Sequence, residues 1–194
     1  KQLEKTQKDY FDFYLFHNVC EINIDAYLDE TYGIFEYLVK QKENGRIRHL
    51  GFSAHGSYEV IERFLKKYGH AMEFCQLQIN YIDWEFQKVN QKVDLVQSYD
   101  IPVWVMEPLR GGKLARISEE YAEKLQKLRP QETVPGWAFR YLQSPPEVKV
   151  ILSGMSDMQQ LADNIKTFET DAPLSEVEMK AIADIAGEMV GKIV

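Results

Sequence analysis

The chain has 194 residues, 45% hydrophobic and 27% charged, a balance that suits one globular domain with a sizeable core. Its formal net charge of -7 arises from 23 Lys plus Arg against 30 Asp plus Glu with no basic cluster, which argues against nucleic acid or a membrane surface as partner. No apolar run approaches ~18 residues and no signal-peptide pattern is visible, so a cytoplasmic location is expected, and Cys20 and Cys75, far apart and in no CxxC pair, are read as buried free thiols.

In chain order, "YFDFYLFH" (10–17) is a nearly continuous apolar run and reads as a strand buried on both faces. Apolar residues at helical spacing follow over 26–43, and Gly45 in "KENGR" stands where a helix ends in a left-handed residue. "IRHLGFS" (47–53) is the second strand and 57–68 the next helix. "EFCQLQIN" (73–80) is the third strand, followed by a helix over 87–99, and "IPVWVMEPL" (101–109) is the fourth strand. The stretch 110–132, opening on a double glycine, reads as a loop with one short helix. A helix over 133–142 stops at "SPPE", "VKVILSG" (148–154) is the fifth strand, and helices over 158–167 and 176–189 close the chain. The last begins at "LSEVE", a capping box with Ser175 and Glu178 as its partners.

Strand and helix alternating at this spacing imply βαβ units and a parallel sheet. A doubly wound sheet and a (β/α)8 barrel both fit, but GxGxxG is absent. Polar residues also gather at strand ends, as the catalytic face of a barrel requires: His17 and Asn18, Ser53 and His55, Gln76, Gln78 and Asn80, Glu107 and Arg110, Ser153 and Ser156.

The segments "YFDFYLFHNV", "GRIRHLGFSAHGS", "CQLQINYID", "PVWVMEPLRGGKLA" and "VILSGMSDMQQLADN" resemble, in order and separation, the second part of the aldo-keto reductases. The resemblance covers residues 1 to about 170. It implies an α/β fold of the (β/α)8 TIM-barrel type, in which residues 1–194 form a partial barrel domain of about five βα units, strands four to eight. It further implies reduction of an aldehyde, ketone or quinone by hydride transfer from NADP or NAD. "GFSAHGS", "INYIDW" and "MEPLRGG" look most like a branch whose members carry an iron-sulfur segment after the barrel; that cysteine-rich segment is not in this sequence, and no metal site is assigned.

By the same resemblance His17 is the catalytic histidine that hydrogen-bonds the carbonyl oxygen, whereas composition alone reads it as an ordinary rim histidine. His49, His70 and His55 read as rim or solvated residues. Ser53 and Gln76 match positions that hold the nicotinamide carboxamide, with Ala54 where the family has asparagine. Met106 stands where a tyrosine commonly stacks on the ring, and a thioether can pack there too. Leu109, Arg110 and Gly112 of the first loop and Gly154, Ser156 and Gln160 of the second match cofactor contacts, and Asp163 and Asn164 match those to adenine. Gly154 and Gln160 replace basic residues that often grip the 2'-phosphate of NADP, so strong NADP preference is not implied, although Arg110 or Lys113 could compensate.

The competing reading is a non-catalytic nicotinamide-nucleotide sensor or partner-binding subunit of the same fold. The family's proton-donating tyrosine, with its lysine and aspartate, has no counterpart in this sequence. The expectation is therefore that the 194 residues are part of a longer reductase and inactive alone. Their open barrel edges are expected to favour self-association.

Overall fold

The computed structural model describes residues 1–192. Five strands form one parallel sheet in the order β1-β2-β3-β4-β5: β1 Phe11–Val19, β2 Ile47–Ala54, β3 Cys75–Gln78, β4 Val103–Met106 and β5 Val148–Ile151. Sheet neighbours follow chain order, as expected when each parallel pair is joined by a helical crossover. The helices are α1 Gln2–Thr6, α2 Ile24–Leu28, α3 Ile34–Glu43, α4 Tyr58–Tyr68, α5 Asp83–Phe86, α6 Val89–Gln97, α7 Glu119–Leu128, α8 Val134–Leu142, α9 Met158–Phe168 and α10 Glu176–Gly191. None is long and apolar enough to cross a membrane.

The chain divides into two compact units. The first holds Lys1–Leu77 and Gln91–Trp104, the second Gln78–Asn90 and Val105–Val194. In the first unit Phe13 pairs with His49, Leu15 with Gly51, and Ser53 with Gln76 across neighbouring strands. One sheet face packs on α4, where Phe64 meets Phe16 at 5.2 Å, Phe52 at 4.8 Å and Tyr68 at 5.6 Å between ring centroids. Gly51 lets the chain pass Phe74 at close range, since a Cβ there would lie 2.4 Å from the Phe74 carbonyl oxygen. Cys20 and Cys75 are free and buried.

The second unit is built around Trp137, Phe139, Tyr121, Leu125, Ile182 and Ile185, all buried. Thr133 caps α8 through the Gly136 amide, and the capping box opens α10 as its sequence foretells. Glu178 of that box also receives Arg129, at 2.5 Å from Nε and 2.8 Å from Nη2.

Four sequence expectations change. The strand read over 10–17 as buried on both faces buries only Phe16: β1 stands at the end of the strand order, so Phe13 is 50% exposed and Asp12 pairs with Arg48 at the surface. The helix over 26–43 is two, because Asp29 turns back onto the Thr31 amide and Gly33 takes φ +56°. That over 87–99 begins only at Val89, after a left-handed Lys88 (φ +50°), and a separate turn, α5, precedes it. Within 110–132 there is a 3-10 turn and then the ten-residue α7, which buries Tyr121 and Leu125 four residues apart on one face.

Candidate functional site

Two groups of polar residues lie at the C-terminal strand ends, one in each unit. In the first unit β1 runs past His17 to Val19, and its pairing slips between Phe16 and Val19. The slip is a β-bulge, with Asn18 in the left-handed region at φ +58°. Three bonds hold it: the Asn18 amide donates to Ser53 Oγ at 2.8 Å, Asn23 Nδ2 donates to the Asn18 carbonyl at 2.7 Å, and the Tyr27 hydroxyl donates to the His17 carbonyl at 2.7 Å. The His17 ring is thereby presented at the surface, along a groove it shares with Phe11, Phe13 and Leu15. Ser53 is buried and directly paired with the half-buried Gln76, which puts the two side chains on one sheet face. Burial pushes the Tyr27 phenol above its ordinary value, and burial likewise raises Tyr81 and Tyr141.

His49 is an exposed residue bonded to Glu73 at 2.8 Å and stacked on Phe13, while His55 and His70 are exposed.

In the second unit the loops after β4 and β5 enclose a cleft of about 490 Å3. Six of the residues matched to cofactor contacts in the sequence line it, Leu109, Gly112, Gly154, Gln160, Asp163 and Asn164, together with the strand-end residues Glu107 and Ser153. The first loop turns tightly, with Glu107, Arg110, Gly111 and Gly112 all at positive φ. At Gly112 (φ +86°) and Gly154 a Cβ would meet nothing within 4 Å, so the backbone faces open space at both. Asn164 Nδ2 donates to Ser153 Oγ at 3.2 Å, and Gln159 Nε2 to Asp163 Oδ1 at 2.9 Å.

Met106, Arg110 and Ser156 do not line this cleft. Met106 is half-buried at the end of β4. Ser156 is exposed, its amide donating to Gln160 Oε1 at 2.9 Å. Arg110 is directed at Asp83, its Nε 3.2 Å from both carboxylate oxygens. Asp83 is fully buried and also accepts from Gln78 at 2.8 Å, Asn80 at 2.7 Å and Gln87 at 3.0 Å. Asn80 in turn bonds the Glu107 carbonyl, so this network fixes the base of the glycine loop.

Sequence reasoning missed Asp83 and the cleft residues Arg116 and Pro135. The Asn-x-x-Asp spacing of "NYID" is the signal for Asp83, because Asn80 Oδ1 caps the Asp83 amide. Arg116 carries no such local signal. Among the described residues no three His, Cys, Asp or Glu side chains converge as a metal site requires.

A model of the aldo/keto reductase family matches residues 1–186. The chain belongs to the aldo/keto reductase family. An uncharacterised oxidoreductase, YqkF, of Bacillus subtilis (strain 168) is 24% identical over 203 residues, covering 94% of this chain and 62% of that protein. An aldo-keto reductase of Bacillus halodurans in its holo form superposes with a TM-score of 0.72 at 25% identity, covering 94% of this chain and 61% of its own. A thermostable aldo-keto reductase solved with the inhibitor epalrestat gives 0.72 at 22% identity, with 94% and 62% covered. The chain thus spans less than two thirds of the length of these relatives. The match shows the parallel α/β architecture of the family's TIM barrels.

Proposed function

We propose that this chain serves an NAD(P)H-dependent reduction of a small aldehyde, ketone or quinone, its five strands standing as the fourth to eighth of the family's barrel. The cleft in the second unit is the observation that carries the reading. Its volume lies in the range of small-molecule sites, and it combines open glycine backbone with paired polar side chains. Leu109, Gly112, Gly154 and Gln160 would border the cofactor's phosphate-bearing half, while Asp163 and Asn164 would hold its adenine. Ser53 retains a hydroxyl proton to donate, since its oxygen accepts from Asn18, and with Gln76 it would fix the nicotinamide carboxamide. Met106 would pack against the ring. The bound cofactor supplies the hydride.

His17 would hydrogen-bond the carbonyl oxygen and orient it, the bulge keeping its ring clear of the packed core. In the natural protein, His17→Ala should lower turnover by roughly 10²-fold or more while leaving nicotinamide-nucleotide affinity unchanged. Equal losses of turnover and affinity would make His17 structural. The family's proton-donating tyrosine, with its lysine and aspartate, has no counterpart among the 194 residues, so these alone should not oxidise NADH or NADPH with any carbonyl. The same observation favours the second reading, a nucleotide-binding sensor. Saturable binding without turnover in the natural protein would select it.

A further inference from the structure

We infer that the cleft selects the cofactor without a 2'-phosphate, NAD(H) over NADP(H); this rests on the reading of the cleft given above. A 2'-phosphate brings nearly two negative charges and is held by cations or by free helix-terminal amides. The cleft offers neither in sufficient number. Its charged lining is Glu107, Asp163 and Arg116, a formal sum of -1, and Arg116 is exposed. Arg110 is bound to Asp83, and Lys113 does not face the cleft.

At the N-terminus of α9, beside the cleft, two backbone amides are already taken up from within. Asp157 accepts the Gln160 amide at 2.8 Å, placing a carboxylate where a phosphate would be drawn, and Gln160 folds back onto the Ser156 amide. An unphosphorylated ribose needs the opposite chemistry, an acceptor for its hydroxyls. Asp163 provides one: Gln159 holds Oδ1, and Oδ2 remains to accept.

The test uses ADP-ribose and 2'-phospho-ADP-ribose, which lack nicotinamide, titrated into the purified chain by calorimetry. ADP-ribose should bind more tightly by on the order of tenfold, and the gap should narrow at high salt, where charge repulsion is screened. Gly154→Arg adds a cation where a Cβ meets no atom within 4 Å, and should raise affinity for 2'-phospho-ADP-ribose more than for ADP-ribose, with unchanged circular dichroism confirming the fold. Equal or tighter binding of 2'-phospho-ADP-ribose by the unmodified chain overturns the inference and leaves the cofactor cleft standing. Binding of neither probe refutes the cleft reading itself.

Discussion

The Asp83 network offers a test of how the loop after β4 is held, through Asp83→Ala. The substitution removes the acceptor from four donor side chains. Gln78 and Gln87 are half-buried and can turn to water, so their loss costs little. Asn80 is 1% exposed, and the Arg110 side chain 19%. An unsatisfied buried amide costs about 1–3 kcal/mol and a charged bond about 1.5–3 kcal/mol, which together agree with the ~3–5 kcal/mol typical of breaking one side of a buried ion pair. With a urea dependence of about 2 kcal/mol per molar, the unfolding midpoint should fall by roughly 2 M, followed by circular dichroism. Asp83→Asn keeps the shape and one acceptor oxygen and should lose less than half as much. The paired variant Asp83→Leu with Arg110→Met, which removes both charges, should recover part of the loss. A fall below about 0.5 M for Asp83→Ala would show that the donors find other partners and that the network does not fix the loop.

Two further outcomes follow from the packing. The guanidinium of Arg129, helped by the Ser175 amide and hydroxyl, holds Glu178 at about 2 instead of 4.5. Because the folded value is the lower one, the stabilisation is present above pH ~4.5 and lost as pH falls toward 2. It amounts to about 3 kcal/mol that Glu178→Gln should lack, so equal acid sensitivity of the two proteins in urea titrations at pH 5 and 2.5 would contradict it. Gly51→Ala would drive a Cβ to 2.5 Å from Phe74 Cδ1 as well as onto the carbonyl, at a cost of roughly 1–3 kcal/mol or more. Its Tm should drop by several degrees, and an unchanged Tm would mean that the two strands part freely.

What the sequence disclosed follows from the range of the interactions involved. Strand and helix order, the left-handed Gly45 and the Ser175–Glu178 box are set by residues a few positions apart, and all are present. The break at Gly33 and the left-handed Lys88 were missed because the surrounding apolar spacing continues through them. Asp83 and Arg110 lie 27 residues apart, so only folding shows that this arginine is committed to a buried carboxylate. Resemblance to the family singled out the loop lining the cleft, whereas Arg116, which follows the 3-10 turn Lys113–Ala115, lines it with no such signal. On β1, hydrophobicity marked a strand correctly and its exposure wrongly: an apolar run reports what a strand could bury, whereas burial depends on what lies beside it.

The bulge in β1 also separates two kinds of selection. Phe16 and Val19 pair with Phe52 and Ala54, which lie two positions apart on β2, whereas a regular strand would turn residues three apart to opposite faces. The extra residue absorbs that mismatch, so His17 and Asn18 contribute almost nothing to interior packing. Side-chain changes at position 17 should therefore leave the hydrophobic interior as it is. Position 18 is freer in chemistry than in backbone, since its left-handed conformation favours asparagine, aspartate or glycine. A library randomised at position 17 should therefore yield mostly folded proteins, whereas at position 18 the folded ones should be enriched in asparagine, aspartate and glycine.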